Sequence, residues 1–273
     1  MTWWCAALGE PWSWTWRAYP GVWLFIFGIA AAYGAGAVRG RSAGEAIARR
    51  DIALFATGLG VLWLGADWPL GTLAAGYLLS ARIVQYVLFV LVAPPLILLG
   101  IPRWMWRRIL RRPAAAWLAR LLVRPLIPLI VYNAVLVAAH LPSVIDGLGG
   151  SPWGAFALDL SMIVSGLVFW WPALGRLPEL EPMGYGGRIG YLLLSVFVPT
   201  VPGAFYTFAR YPIYGLYELA PRVYDIPAVA DQQVAGLIMK LGGGFILFGT
   251  MSVMFFRWFA REEATEITET EVV

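Results

Sequence analysis

Charge, cysteine and histidine are all scarce in this chain. Of its 273 residues only 13% are charged, and there is one cysteine, Cys5, and one histidine, His140. A single thiol makes no internal disulfide, so no disulfide framework is expected, and Cys5 is given no role. One histidine at a helix end does not complete a Ser-His-Asp set, and no His or Cys cluster has the spacing of a metal or redox motif. The stretch "KLGGGF", residues 240–245, lacks the strand and the Ser or Thr of a phosphate-cradling loop. It reads as small residues for close helix packing. No enzyme is expected, and the net charge of +4 reports topology and lipid contact, with no nucleic-acid signal.

Apolar residues make up 60% of the chain, which also carries fifteen tryptophans. Crossing the hydrocarbon core takes roughly 20 apolar residues. Seven stretches qualify, at about 21–37, 52–66, 76–100, 117–139, 153–174, 189–208 and 231–256. The expectation is an all-α polytopic integral membrane protein, a bundle of seven transmembrane helices forming one domain over 21–258. Five tryptophans fall within the first sixteen positions, and residues 1–20 read as an amphipathic segment at the outer membrane surface. Residues 259–273 read as an acidic, solvated cytoplasmic tail.

Arginine sets the orientation. Arg39, Arg41, Arg49 and Arg50 lie in the first loop, Arg103, Arg107, Arg108, Arg111 and Arg112 in the third, Arg176 and Arg188 in the fifth, and Arg257 and Arg261 after the last span. The other side has Arg17, Arg210 and Arg222. By the positive-inside rule the N-terminus faces out and the C-terminus in, as an odd number of spans requires.

With that topology the polar side chains inside the spans fall in the outer half. Arg82, Gln85 and Tyr86 lie on the third span, Asp159 on the fifth, and Asp231, Gln232 and Lys240 on the seventh. Isolated charges in lipid cost at least ~2.5 kcal/mol each, so pairing is expected. Asp159 is the expected partner of Arg82, because Asp231 sits where its helix meets water. Weak candidates for soft-metal ligation are His140, Met162 and Met239, although methionine in an apolar helix is usually filling space.

The stretch "SARIVQYVLFVLVAPPLILLGIP", 80–102, resembles the third-helix signature of the CtaG family, membrane factors of caa3-type cytochrome c oxidase assembly. In that family a His-Met-x-Gln-His pattern precedes an apolar run ending in Ala-Pro-Pro-Leu and Leu-Gly-x-Pro. "AHLP" at 139–142, "GLVFWWPALG" at 166–175, "YPIY" at 211–214 and "DQQVAGLIM" at 231–239 match further, in the family's order. The departures are specific. Arg82 and Tyr86 stand where the third helix has histidines, with Gln85 kept between them, and "LDLSMIVSG" has none where the fifth helix bears them.

The resemblance implies a factor that assists assembly or copper maturation of a haem-copper oxidase in a bacterial plasma membrane. Its implied partners are oxidase subunits or a copper carrier. Arginine keeps its proton and cannot ligate a metal, so the site itself reads as lost and copper is implied by the resemblance only. The alternative is a non-catalytic structural subunit of an energy-converting membrane complex.

Overall fold

The computed structural model of the chain describes residues 2–180 and 183–271, the last eight of these as backbone only. Among the described residues there is no strand. Twelve helices follow one another: α1 (Pro20–Arg41), α2 (Arg49–Ala66), α3 (Leu70–Gly76), α4 (Leu79–Gly100), α5 (Arg103–Ile109), α6 (Pro113–Val123), α7 (Leu126–Ala139), α8 (Pro142–Leu148), α9 (Pro152–Leu174), α10 (Tyr185–Phe208), α11 (Gly215–Glu218) and α12, which starts at Ala228. Helical backbone in α12 continues to Glu271 without a break after the apolar stretch, while Val272 and Val273 of the acidic tail lie outside the described residues.

Five helices, α1, α4, α9, α10 and α12, are long and apolar enough to cross a membrane. Two bent pairs, α2 with α3 and α6 with α7, raise the number to as many as seven. The chain is thus a multi-pass membrane protein with five to seven candidate spans. The stretch at 117–139 is one apolar run in the sequence but two helices in space, turned by 87°. The residue before a proline is pushed out of helical backbone, and Arg124, ahead of Pro125, has ψ 107°. Prolines at the first turn likewise start α1, α6, α8 and α9, where the missing N–H costs nothing. Ser151 caps α9 by accepting the Gly154 N–H at 3.1 Å, and Gly175, at φ 51°, ends it in the left-handed conformation.

The arginine-bearing connections gather at one end of the bundle. Arg108 donates to the Arg39 carbonyl at 3.5 Å and Arg176 to the Ile101 carbonyl at 2.9 Å. Arg107 bonds the exposed Glu179 at 2.8 Å. A backbone hydrogen bond, and then Arg107, hold the Glu179 carboxyl below its ordinary value.

The opposite end is closed by the first residues of the chain. They are not helical before Pro20, and Trp4, Cys5 and Ala6 are buried within the bundle. Ala7 N–H donates to the Gly149 carbonyl at 3.2 Å and the Tyr77 hydroxyl to that of Glu10 at 2.8 Å. Trp14 and Trp16 remain exposed, as aromatic rings at a membrane surface do.

Candidate functional site

The polar side chains expected to cluster divide into three groups. Arg82, on the first turns of α4, pairs with Asp159 of α9, Nη1 to Oδ1, at 2.5 Å. The same Nη1 donates to Gln85 Oε1, and Gln85 Nε2 donates to the Gly65 carbonyl of α2 at 2.8 Å. The other Asp159 oxygen accepts the indole N–H of Trp4 at 2.9 Å. All four side chains are buried. A buried ion pair is tolerated when its remaining lone pairs and protons are also bonded, and here the carboxylate has a partner on each oxygen. Arg82 Nη2 is the exception, buried without one.

Asp231 and Gln232 serve a different end. Asp231 accepts from the backbone N–H groups of Leu79, at 2.6 Å, and Ser80, and from the Ser80 hydroxyl. It therefore caps α4 from another helix, putting negative charge on the first turn where the helix dipole favours it. Gln232 accepts the Ile213 N–H at 2.8 Å and donates to the Tyr211 carbonyl at 3.2 Å, tying the 211–214 loop to α12.

Tyrosines make the third group. Tyr86 and Tyr132 share a hydrogen bond at 2.8 Å, and the Tyr86 ring stands edge-on to His140 at 5.4 Å. The Tyr214 hydroxyl gives its proton to the His140 carbonyl at 2.8 Å, so Tyr206 must be the donor in the bond that it shares with Tyr214. His140 Nδ1 lies 2.7 Å from the Leu136 carbonyl, which fixes the proton there and leaves Nε2 as the acceptor.

Lys240 joins none of these groups. Its side chain is exposed and has no ion-pair or hydrogen-bond partner among the described residues. The expected intramembrane cluster of two cations and two carboxylates thus contains one ion pair, one capping carboxylate and an outlying ammonium. Physically, Lys240 lies on the face of α12 that turns away from Asp159, where no sequence period alone could place it.

Copper does not fit this donor set. Cu(I) takes thiolates, thioethers and imidazoles. At the positions where the resemblance puts histidines stand a guanidinium already paired and a phenol bonded to another phenol. Among the described residues no three His, Cys, Asp or Glu side chains gather. Met162 and Met239 are both buried, Met239 in the wall of a crevice described below and Met162 in the body of α9.

Several of these partners have no signal in the sequence. Trp4, Gly65, Ser80, Tyr132 and Tyr206 all complete the network, and each is joined to it across a separation in sequence that only the fold closes. The crowding of tryptophans near the start was visible, but it does not single out the one that turns inward.

The stretches that carry the resemblance interlock with one another. Asp231 and Gln232 hold residues of the first and fourth stretches, Tyr214 holds His140, and Trp170 Nε1 donates to the Val90 carbonyl at 2.9 Å. Gly166 faces Val90 and Pro94 so closely that a Cβ would lie 2.7 Å from the Pro94 ring. No curated protein and no solved structure matches the chain significantly. A family profile does match, that of the cytochrome c oxidase caa3 assembly factor, over residues 31–261. Covering most of the chain and every element of the network except the first residues, the match shows that this protein belongs to the Caa3_CtaG family of cytochrome c oxidase assembly factors.

Proposed function

We propose that this protein assists the assembly of a haem-copper cytochrome c oxidase in a bacterial plasma membrane, as a non-catalytic chaperone that binds oxidase subunits and no longer handles copper itself. The family match over residues 31–261 carries the first half of this reading. The second half rests on the Arg82–Asp159 pair and the Tyr86–Tyr132 pair at the positions of the family's histidines. In this reading the bundle crosses the membrane seven times, with the bent pairs each counted once and the arginine-rich end in the cytoplasm. The Trp4 end faces outward, so the buried polar network belongs to the outer half.

Such a network is suited to stiffness. Each of its bonds joins different elements, α4 to α9, α4 to α12, α7 to the 211–214 loop, and the first residues to α9. A chaperone of this kind offers a fixed outer face to its client and supplies no reacting group.

A second reading, a structural subunit held permanently in an energy-converting complex, is favoured by the same exchange of histidines. Deleting the gene and assaying oxidase separates the two when combined with purification in mild detergent. The assembly factor predicts loss of active oxidase, restored by the intact gene, with the protein recovered free of the mature enzyme. Recovery in a constant ratio with a complex supports the subunit, and unchanged oxidase after deletion sinks the assembly role. Copper in the purified protein is expected well below one equivalent. Stoichiometric Cu(I), lost on substituting His140, Met162 or Met239, would return copper handling to this chain.

A further inference from the structure

Lys240 is the only lysine in the chain, all its other basic side chains being arginine. It sits in the π-helical turn Ile238–Gly242 of α12, a local widening of the helix that is frequent at functional sites. Nine residues separate it from Asp231 and seventeen from Arg257, which at about 1.5 Å per residue puts it well inside the hydrocarbon core from either end. The ammonium is exposed there without a partner among the described residues.

Beside it opens a crevice of about 270 Å³ between α4, α10 and α12, walled by Leu91, Tyr132, Thr200, Met239, Phe245 and Phe248. Its lining is almost wholly apolar, so the lysine supplies the one charge. Three consecutive glycines follow Lys240 by one residue, Gly242, Gly243 and Gly244. A Cβ on Gly244 would meet nothing within 4 Å, whereas one on Gly236, a few turns earlier in the same helix, would lie 2.3 Å from Thr207 Oγ1. Gly236 is required by internal packing and Gly244 is not. Glycine weakens a helix relative to alanine, and a small face directed outward from a membrane helix lets another helix come close.

We propose that this crevice receives a membrane-spanning helix of a partner protein that carries a carboxylate at the depth of Lys240. Charge complementarity selects the carboxylate, because an ammonium in hydrocarbon is stabilised by an opposite charge at the same depth. Depth selects a protein helix over a lipid, whose phosphate stays at the headgroup level while backbone at this depth must satisfy its own hydrogen bonds. The glycine face supplies room for the partner's backbone, and the crevice takes its neighbouring apolar side chains. The argument stands apart from the oxidase reading, since it names the chemistry of a partner and requires no particular complex.

The test uses the full-length protein in phosphatidylcholine vesicles and synthetic Leu/Ala helices of about 23 residues, long enough to span, with Glu, Leu or Lys at the centre. Association is read by energy transfer between labelled peptide and labelled protein. The Glu peptide is expected to bind about tenfold more tightly than the Leu peptide, the scale of one interhelical polar contact. Lys240→Met should erase that difference, and Lys240→Glu should transfer the preference to the Lys peptide. Gly244→Trp, which meets none of the protein's own atoms within 4 Å at its Cβ, should block every peptide while leaving the thermal unfolding of the protein unchanged. Equal association of the Glu and Leu peptides, or a preference that survives Lys240→Met, overturns the proposal and makes Lys240 a side chain that extends to the headgroups beside a lipid-filled crevice.

Discussion

Asp231, three residues into α12, holds the amino end of α4 by accepting the backbone N–H of Leu79 at 2.6 Å. A helix leaves its first N–H groups without internal partners, and in α4 no local side chain takes them. Burial makes the omission costly, so a carboxylate from a distant helix does the capping.

Replacing Asp231 with alanine should therefore cost about 1–3 kcal/mol, the penalty for leaving buried donors unpaired. Asp231→Asn keeps one acceptor oxygen and loses the charge, and should cost less. Unfolding in mixed detergent micelles measures both. If the alanine variant is as stable as the parent protein, the cap has no energetic weight and the α4–α12 contact is held by packing alone.

Arg82 and Asp159 should behave as a unit. Removing either partner leaves an uncompensated buried charge, expected to cost roughly 3–5 kcal/mol. Arg82→Met combined with Asp159→Leu should recover much of that loss. A double-mutant cycle on stability reads the coupling directly. Additive single losses would show that each side chain is stabilised independently, and the ion pair would cease to explain their burial.

The spans were largely legible in the sequence because apolar length is a one-dimensional property. Each of the seven predicted stretches coincides with a long helix or a bent pair. The bends were harder to see: Pro125 and Pro69 were visible, but the 87° and 46° turns depend on how neighbouring helices pack the freed ends. For the site, depth along a helix could be read from residue number, which brings Arg82 and Asp159 to one level. Rotation about the helix axis could not be fixed in the same way. Two π-helical turns, Val87–Val92 in α4 and Ile238–Gly242 in α12, shift the register of everything after them, so Lys240 faces a different neighbour from the one that regular helical spacing implies. The burial of Trp4 was not legible at all, since nothing in its flanking residues differs from the exposed tryptophans that follow.

Glycines on facing and outward helix surfaces should respond with opposite signs. A Cβ at Gly166 would lie 2.8 Å from the Val90 carbonyl oxygen, backbone that cannot step aside, so Gly166→Ala should destabilise by about 1–3 kcal/mol. At Gly244 there is nothing within 4 Å, and Gly244→Ala should be neutral or stabilise by up to about 1 kcal/mol through better helix propensity. Parallel thermal scans of the two variants check this. A destabilising alanine at Gly244 would mean that its outward face is already covered in the isolated protein.

The last expectation concerns Trp4, which is only 1% exposed and stands edge-on to Phe156 at 4.9 Å and to Phe25 at 5.9 Å. Two contributions are combined in this one side chain, aromatic packing and the hydrogen bond to Asp159. Trp4→Phe retains a ring for the first and removes the N–H for the second, leaving a carboxylate oxygen unpaired at a cost of about 1–3 kcal/mol. In a background of Arg82→Met with Asp159→Leu that oxygen no longer exists, so the same substitution should cost only its packing difference. Trp4→Ala removes both contributions and should free the first residues of the chain, which cleavage after Arg17 by trypsin added to the outer side would report. Equal losses for Trp4→Phe in the two backgrounds would show that the indole N–H contributes nothing, and that the first residues are held in the bundle by their rings.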